Sequence, residues 1–340
     1  MNLQNEGVNL AIVGATGAVG QEALKILEER KTPIKNLYLF ASSKSAGKKI
    51  LLRGQEHVVE ELQQKVFDRQ IDVAFFSAGK ERSLLFAPQA SRKGIKVIDN
   101  SSAFRMNDSI ALVVPEVNWA DYSHYKNQNI IANPNCSTIQ LVMALKPLQK
   151  YGLKRVVVST YQAVSGAGLK AMAELKEQTQ GYLLGKKIKN KIFPHKIAFN
   201  CLPHIDRFDD NLYSFEEIKV MQETKKILGE PNLAITCTAV RVPVLGAHSE
   251  SVNVEFEKPC DVETVKRELS DFPGVKVLDN PKEHVYPLNI EAIGENEVFV
   301  GRIRKDFSVK SGLNLWVVAD NLRKGAALNA IQILEHLKAL

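Results

Sequence analysis

The chain has 340 residues, 45% of them hydrophobic and 24% charged, and a formal net charge of +7. That length supports two domains with ample core, and the composition is that of an ordinary globular protein rather than a disordered or fibrous one. The mild basic excess suits an anionic ligand and gives little ground for a nucleic-acid partner. The densest basic stretch, GKKIKNKIFPHK (Gly185 to Lys196), holds one aromatic and reads first as a solvated loop, with phosphate steering the weaker alternative.

The opening MNLQNEGVNLAIVG lacks a basic start, a long apolar segment and a small-residue cleavage site, so no signal peptide is expected. No apolar run approaches the length that spans a membrane. Cys136, Cys201, Cys237 and Cys260 are widely spaced and form no CxxC pair. No metal site is therefore expected, and a reduced, cytoplasmic setting is.

In chain order, VNLAIVG reads as a buried strand, ATGAVG as a glycine turn and QEALKILEERK as a helix stopped by Thr32-Pro33. NLYLFAS is a second strand. DVAFFSAG (Asp72 to Gly79) and KVIDNSS (Lys96 to Ser102) follow, with helical content from Glu81 to Gly94 between them. NIIANPN ends one more strand, and an amphipathic helix pattern starts after it. Strands alternating with helices predict an α/β, Rossmann-like parallel sheet whose ligands bind beyond the carboxyl ends of the strands. After about residue 150, KRVVVSTYQAVSG, ITCTAVRVPV, ESVNVEFE and GLNLWVVAD read as longer, alternating strands of a second, α+β domain. The closing NLRKGAALNAIQILEHLKAL is an amphipathic helix that returns to the first domain. The resulting division is 1–133 with 321–340, and 134–320.

Gly14-Ala15-Thr16-Gly17-Ala18-Val19-Gly20 lies between strand and helix, the context of a dinucleotide fingerprint. Glycines there allow a tight turn and bring backbone N–H groups close to a pyrophosphate. Gly14, Thr16, Gly17, Ala18 and Val19 are the candidate contacts. The spacing is GxxGxxG rather than GxGxxG, and a glycine turn without a ligand shares it. The second strand ends FASSKSAGKK with no acid to bind a ribose diol. Ser42, Ser43 and Lys44 instead suit a 2′-phosphate, hence NADP; a polar surface loop is the bland alternative.

Cys136, in NIIANPNCSTIQLVMALKPL, sits where a strand gives way to a helix. The positive end of a helix dipole lowers a thiol pKa. A small buried hydrophobe is the alternative, and position alone does not choose between them.

NPNCSTIQ, STYQAVSGAG (Ser159 to Gly168), RVPVLGAHSES (Arg241 to Ser251), VGRIRKD (Val300 to Asp306) and LWVVADNLRKGAA (Leu315 to Ala327), with GATGAVG and DNSSAFR (Asp99 to Arg105), resemble the aspartate-β-semialdehyde dehydrogenase family. The resemblance runs from near residue 8 to near 335. It implies an NADP-binding domain and a catalytic, dimerisation domain, and commonly a homodimer. It also implies reversible NADP-dependent reduction of β-aspartyl phosphate to the semialdehyde with release of phosphate, on the route to lysine, threonine and methionine. On the matching positions, Cys136 is the nucleophile, Gln162 positions the reacting group and His248 is the acid–base group, a residue type that titrates near neutrality. Arg241 would hold the substrate α-carboxylate, a role that suits a planar two-toothed donor. Arg105 would bind phosphate, Glu216 and Lys219 the amino group and phosphate, and Asn135 the oxyanion. Ser165 and Gly166 would contact the cofactor, and Asn321 would approach the nicotinamide carboxamide. Glu217 is an equally available neighbour of Glu216. The family often has a cysteine two residues before the substrate arginine; here that position is Ala239, and Cys237 is assigned no chemistry.

The nearest competitor, N-acetyl-γ-glutamyl-phosphate reductase, usually carries Pro-Gly-Cys-Tyr, whereas this chain has Pro-Asn-Cys-Ser. The Cys-Thr-Thr of glyceraldehyde-phosphate dehydrogenase is absent. A non-catalytic dinucleotide sensor of the same fold would be favoured by loss of Cys136 or His248, and both are present.

Overall fold

The computed structural model describes residues 7–339. Residues 1–6 of the stretch read for a leader, and Leu340 at the end of the last helix pattern, lie outside them. The chain forms two compact units, one running up to Asn135 and resuming at Ala326, the other spanning Cys136–Gly325.

The first unit contains β1 (Val8–Val13), β2 (Ile34–Ala41), β3 (Lys49–Leu52), β4 (Gln55–Glu61), β5 (Val73–Phe76), β6 (Lys96–Asp99), β7 (Ile110–Leu112) and β8 (Asn127–Ala132), with helices α1 (Ala18–Glu29), α2 (Lys80–Arg92) and α3 (Pro115–Asn118). The sheet order is β3-β4-β2-β1-β5-β6-β8-β7. Every pairing is parallel except β3 with β4. Strands covered on both faces need continuous apolar runs, which is why VAFF of β5 is buried throughout. Helix α1 buries Gly20, Ala23, Leu24, Ile26 and Leu27, the spacing of one helical face. Helix α2 continues through Pro88.

The second unit holds α4 (Cys136–Leu145), β9 (Leu153–Gln162), α5 (Leu169–Leu183), α6 (Phe215–Leu228), β10 (Ala234–Arg241), β11 (His248–Phe256), α7 (Val262–Asp271), β12 (Val275–Val277), α8 (Asn289–Ala292), β13 (Val298–Lys305) and β14 (Gly312–Ala319). Its sheet runs β10-β9-β11-β14-β13-β12, mixing parallel β9–β10 with antiparallel β9–β11–β14. Helices α4 and α6 pack on its inner face, over Val156, Val158, Val252 and Val254. On the other face Tyr161 is 39% exposed and its ring lies 5.4 Å from Trp316.

Helix α4 departs from the amphipathic expectation. Ser137 through Leu145 are all buried, because sheet and α6 enclose the helix. Its apparent polar face of Ser137, Thr138 and Gln140 therefore faces protein. After β14 the chain passes through a π-helical turn, Arg323–Ala327, into α9 (Leu328–Ala339), so this regular helix begins later than its pattern suggested. Ala330, Ile331, Ile333, Leu334 and Leu337 of α9 join the core of the first unit.

Candidate active site

In the first unit, the turn after β1 is shaped by Gly14, at φ +96°, where a Cβ would stand 2.3 Å from the Ser77 carbonyl oxygen. A Cβ at Gly20 would lie 2.3 Å from the Gly14 carbonyl oxygen. The turn thus closes only with glycine at both positions. Gly17 is the N-cap of α1, and no side chain caps it. An uncapped helix N-terminus behind a glycine turn is the arrangement that accepts a pyrophosphate, so the residues fit a dinucleotide. Thr16, Ala18 and Val19 belong to the same turn. Its Thr16 Oγ1 lies 3.3 Å from Ser45 Oγ, which ties it to the short helical turn Ser43–Ser45 after β2. Ser42, Ser43 and Lys44 are exposed there.

Arg105 is buried in the same unit. Its Nε donates to the Asn133 carbonyl at 2.9 Å and Nη2 to the Asn100 carbonyl at 3.0 Å. Asn133 in turn bonds Asn100 and Asn329. Asn135 is buried at the end of this segment.

Three of the other expected residues, Gln162, Arg241 and His248, meet at one edge of the second sheet, and topology explains it. Gln162 ends β9 and Arg241 ends the parallel strand β10, in register with each other. His248 begins β11, antiparallel to β9, so it starts at the edge where the others finish. Cys136 opens α4, within electrostatic reach of Arg241. The Gln162 amide donates to Glu216 Oε1 at 3.1 Å and accepts from Thr160 Oγ1 at 3.0 Å. Glu216 also pairs with Lys219 at 2.7 Å, and Lys219 reaches Asp206 at 3.1 Å.

The choice between Glu216 and Glu217 is decided by the helix cap. Glu217 accepts from the Ser214 N–H at 2.7 Å while Ser214 accepts from the Glu217 N–H, a reciprocal capping box. Its other oxygen takes the Ala239 N–H at 3.0 Å. Glu217 is committed to the backbone, and Glu216 faces the site.

Residue identity gave no sign of Ala163, whose backbone holds two of these groups. Its N–H donates to His248 Nδ1 at 3.1 Å and its carbonyl accepts from Arg241 Nη1 at 2.7 Å. Gly166 stands beside both; a Cβ there would lie 3.0 Å from Arg241 Nη1 and 3.3 Å from His248 Nε2. Gly325 was likewise missed: a Cβ on it would come within 3.1 Å of the Cys136 Cβ. Ser165 and Asn321 bond each other at 2.8 Å, and Asn321 falls in the second unit rather than with the cofactor-domain residues. Among the described residues, no group of three or more His, Cys, Asp or Glu is placed to hold a metal ion.

His248 corrects one expectation. Burial pushes its pKa down to about 3, with the Arg241 charge adding to the effect, so the ring is not one that titrates near neutrality. Because Nδ1 accepts a backbone N–H, the proton of the neutral ring is assigned to Nε2, which has no hydrogen-bond partner among the described residues. The ring presents its Nε2–H as a hydrogen-bond donor. Its folded pKa lies below the unfolded value of about 6.5. The unfolded chain therefore takes the proton first, and stability falls as pH drops from about 6.5 toward 3. The slope is at most about 1.4 kcal/mol per pH unit. Urea midpoints between pH 6.5 and 4.5 should fall more steeply for the wild type than for His248→Asn; parallel curves would show that the ring is not buried neutral.

Comparison with known proteins agrees in both units. The family described as "Semialdehyde dehydrogenase, NAD binding domain" matches residues 9–125, and "Semialdehyde dehydrogenase, dimerisation domain" matches residues 145–324. Aspartate-semialdehyde dehydrogenase of Aquifex aeolicus is 53% identical, over 97% of this chain and 98% of its own length. The crystal structure of Vibrio cholerae aspartate semialdehyde dehydrogenase II complexed with ASA superposes with TM-score 0.93 at 45% identity, covering 97% of this chain and 98% of that one. The Candida albicans enzyme with NADP gives 0.73 at 28% identity, with 98% and 99% covered. Among the described residues no helix is long and apolar enough to cross a membrane. The chain belongs to the aspartate-semialdehyde dehydrogenase family.

Proposed function

We propose that this chain catalyses the reversible, NADP-dependent reductive dephosphorylation of β-aspartyl phosphate to aspartate β-semialdehyde, in lysine, threonine and methionine biosynthesis. The observation that carries the reading is that Gln162, Arg241 and His248 share one sheet edge, with Arg241 in electrostatic reach of Cys136 at the start of α4. Cys136 attacks the acyl carbon, phosphate leaves with the C–O bond electrons, and a thioester forms. NADPH, when bound, supplies the hydride that reduces the thioester. The His248 Nε2–H donates to the oxygen as it gains negative charge, assisted by Asn135, and the C–S bond then breaks to return the thiolate and release the aldehyde. Arg241 holds the α-carboxylate and Glu216 the amino group, while Arg105 and Lys219 hold the phosphate. Gln162, braced by Thr160 and Glu216, orients the acyl group.

The first unit binds NADP through Gly14, Thr16, Gly17, Ala18, Val19, Ser42, Ser43 and Lys44; Ser165, Gly166 and Asn321 serve the nicotinamide end. The half-open sheet face bearing Tyr161 and Trp316 is the face on which a second copy would close to form a homodimer. The protein works in the cytoplasm, with no nucleic-acid or membrane partner.

The test is phosphate-dependent reduction of NADP with aspartate semialdehyde, beside N-acetylglutamate semialdehyde. Turnover of only the second would move the chain to the competing reductase, and dinucleotide binding without turnover would favour a sensor. Cofactor choice tests the adenosine end. Lys44 is exposed, so salt screens its contact to a 2′-phosphate, and about 1–2 kcal/mol is appropriate, or roughly 5- to 30-fold. Lys44→Ala should raise KM for NADP by that factor and leave KM for NAD nearly unchanged; equal losses would assign Lys44 to loop support alone.

A further inference from the structure

Directly beneath the site lies a polar pair that the reaction leaves unused. Glu250 on β11 is completely buried, and so, at 1% exposure, is Gln140 on α4. Among the described residues, neither oxygen of Glu250 and neither terminal atom of Gln140 has a hydrogen-bond partner. The two side chains are neighbours, and the Gln140 amide acts on the ionisation of Glu250.

Their placement is specific. Glu250 is two residues from His248, so both point to the same face of β11. Gln140 is four residues from Cys136, one turn along the same face of α4. The pair thus joins the helix that presents the thiol to the strand that presents the imidazole. Cys237 lies near Glu250, but burial holds that thiol protonated.

We propose that Glu250 and Gln140 are positioning residues, which bond to each other and fix Cys136 relative to His248. Two buried polar groups without other partners each carry a desolvation cost that only the other can offset. Burial holds the Glu250 carboxyl well above the carboxylate range, with the Gln140 amide acting against that rise; in the proposed pair the protonated acid donates its O–H to the Gln140 carbonyl. A carboxylate there would place negative charge behind the thiolate and oppose its formation. Small displacements of reacting groups have large kinetic effects, so a bond one turn below the nucleophile bears on rate.

The inference rests on Cys136 being the nucleophile, and the experiment separates the two. Glu250→Leu, Gln140→Leu, the double variant and Glu250→Gln are compared with wild type. Measured are kcat, KM for aspartate semialdehyde, thermal midpoint and the rate of Cys136 alkylation by iodoacetamide. The Leu variants should lose about 10-fold in kcat, equivalent to about 1.4 kcal/mol, with KM little changed and alkylation altered in parallel. Glu250→Gln, an uncharged donor of similar shape, should restore kcat to within about 3-fold, a residual of under 1 kcal/mol. The double variant should be no worse than either single, since one bond is removed in each case. Folded Leu variants with unchanged kcat and alkylation would overturn the proposal. So would additive losses, or a Glu250→Gln variant as impaired as Glu250→Leu. Because alkylation reads the thiol without turnover, a wrong assignment of the nucleophile would show as full activity in alkylated enzyme, whatever Glu250 does.

Discussion

Cys136→Ala is expected to abolish turnover while NADP binding stays close to that of the wild type. The thiol opens α4 and sits in the charge field of Arg241, two influences that favour a thiolate. Removing one sulfur from a half-buried position leaves the helix intact, since alanine is the best helix former. The glycine turn that fits the dinucleotide belongs to the other unit. The remaining cysteines serve as controls. Cys237 is buried, and burial, with nearby Glu217 and Glu216 adding to it, holds its thiol far above the usual range. Burial also raises Cys260, and Cys201 is exposed. Alanine at each of the three should retain activity. Stopped-flow and steady-state NADPH absorbance measure turnover, and fluorescence titration measures binding. Retention of even about a tenth of wild-type turnover in Cys136→Ala, a loss of only about 1.4 kcal/mol, would rule out the covalent route.

Arg241→Lys is expected to lower kcat/KM for aspartate semialdehyde far more than conservation of charge suggests. The guanidinium is 6% exposed and is anchored through Nη1 on the Ala163 carbonyl at 2.7 Å. Anchoring uses part of the planar fork, and a carboxylate is received by the rest. Lysine has one nitrogen and cannot do both in that geometry. Loss of a hydrogen bond to a charged group is worth about 1.5–3 kcal/mol, or about 10- to 150-fold. Inhibition by a substrate analogue lacking the α-carboxylate should change little between the two enzymes. If the lysine variant keeps full kcat/KM, Arg241 does not hold the carboxylate.

Two kinds of site information differ in how they reach the chain. The thiol at a strand-to-helix junction, the glycine turn between strand and helix, and the missing acid after the second strand are local patterns, and each was legible in the sequence. So were the alternating strands of the second unit and the apolar runs of the first, because burial on one face or on both writes itself into hydrophobic spacing. The sequence alone also left Glu216 and Glu217 equivalent, since adjacent carboxylates on a charged helix face look alike until the capping box with Ser214 claims one of them.

Tertiary structure decided what depends on enclosure and on backbone. The buried surroundings of α4 turned an amphipathic pattern into a helix covered on all sides, and the same burial took His248 away from neutral titration. Ala163 works through its peptide group alone, so its side chain carries no signal. Gly166 and Gly325 matter through the atoms a Cβ would strike, and those atoms come from segments distant in sequence. Local chemistry is carried by residue type and spacing, whereas desolvation and steric exclusion are properties of neighbours that only the folded chain brings together.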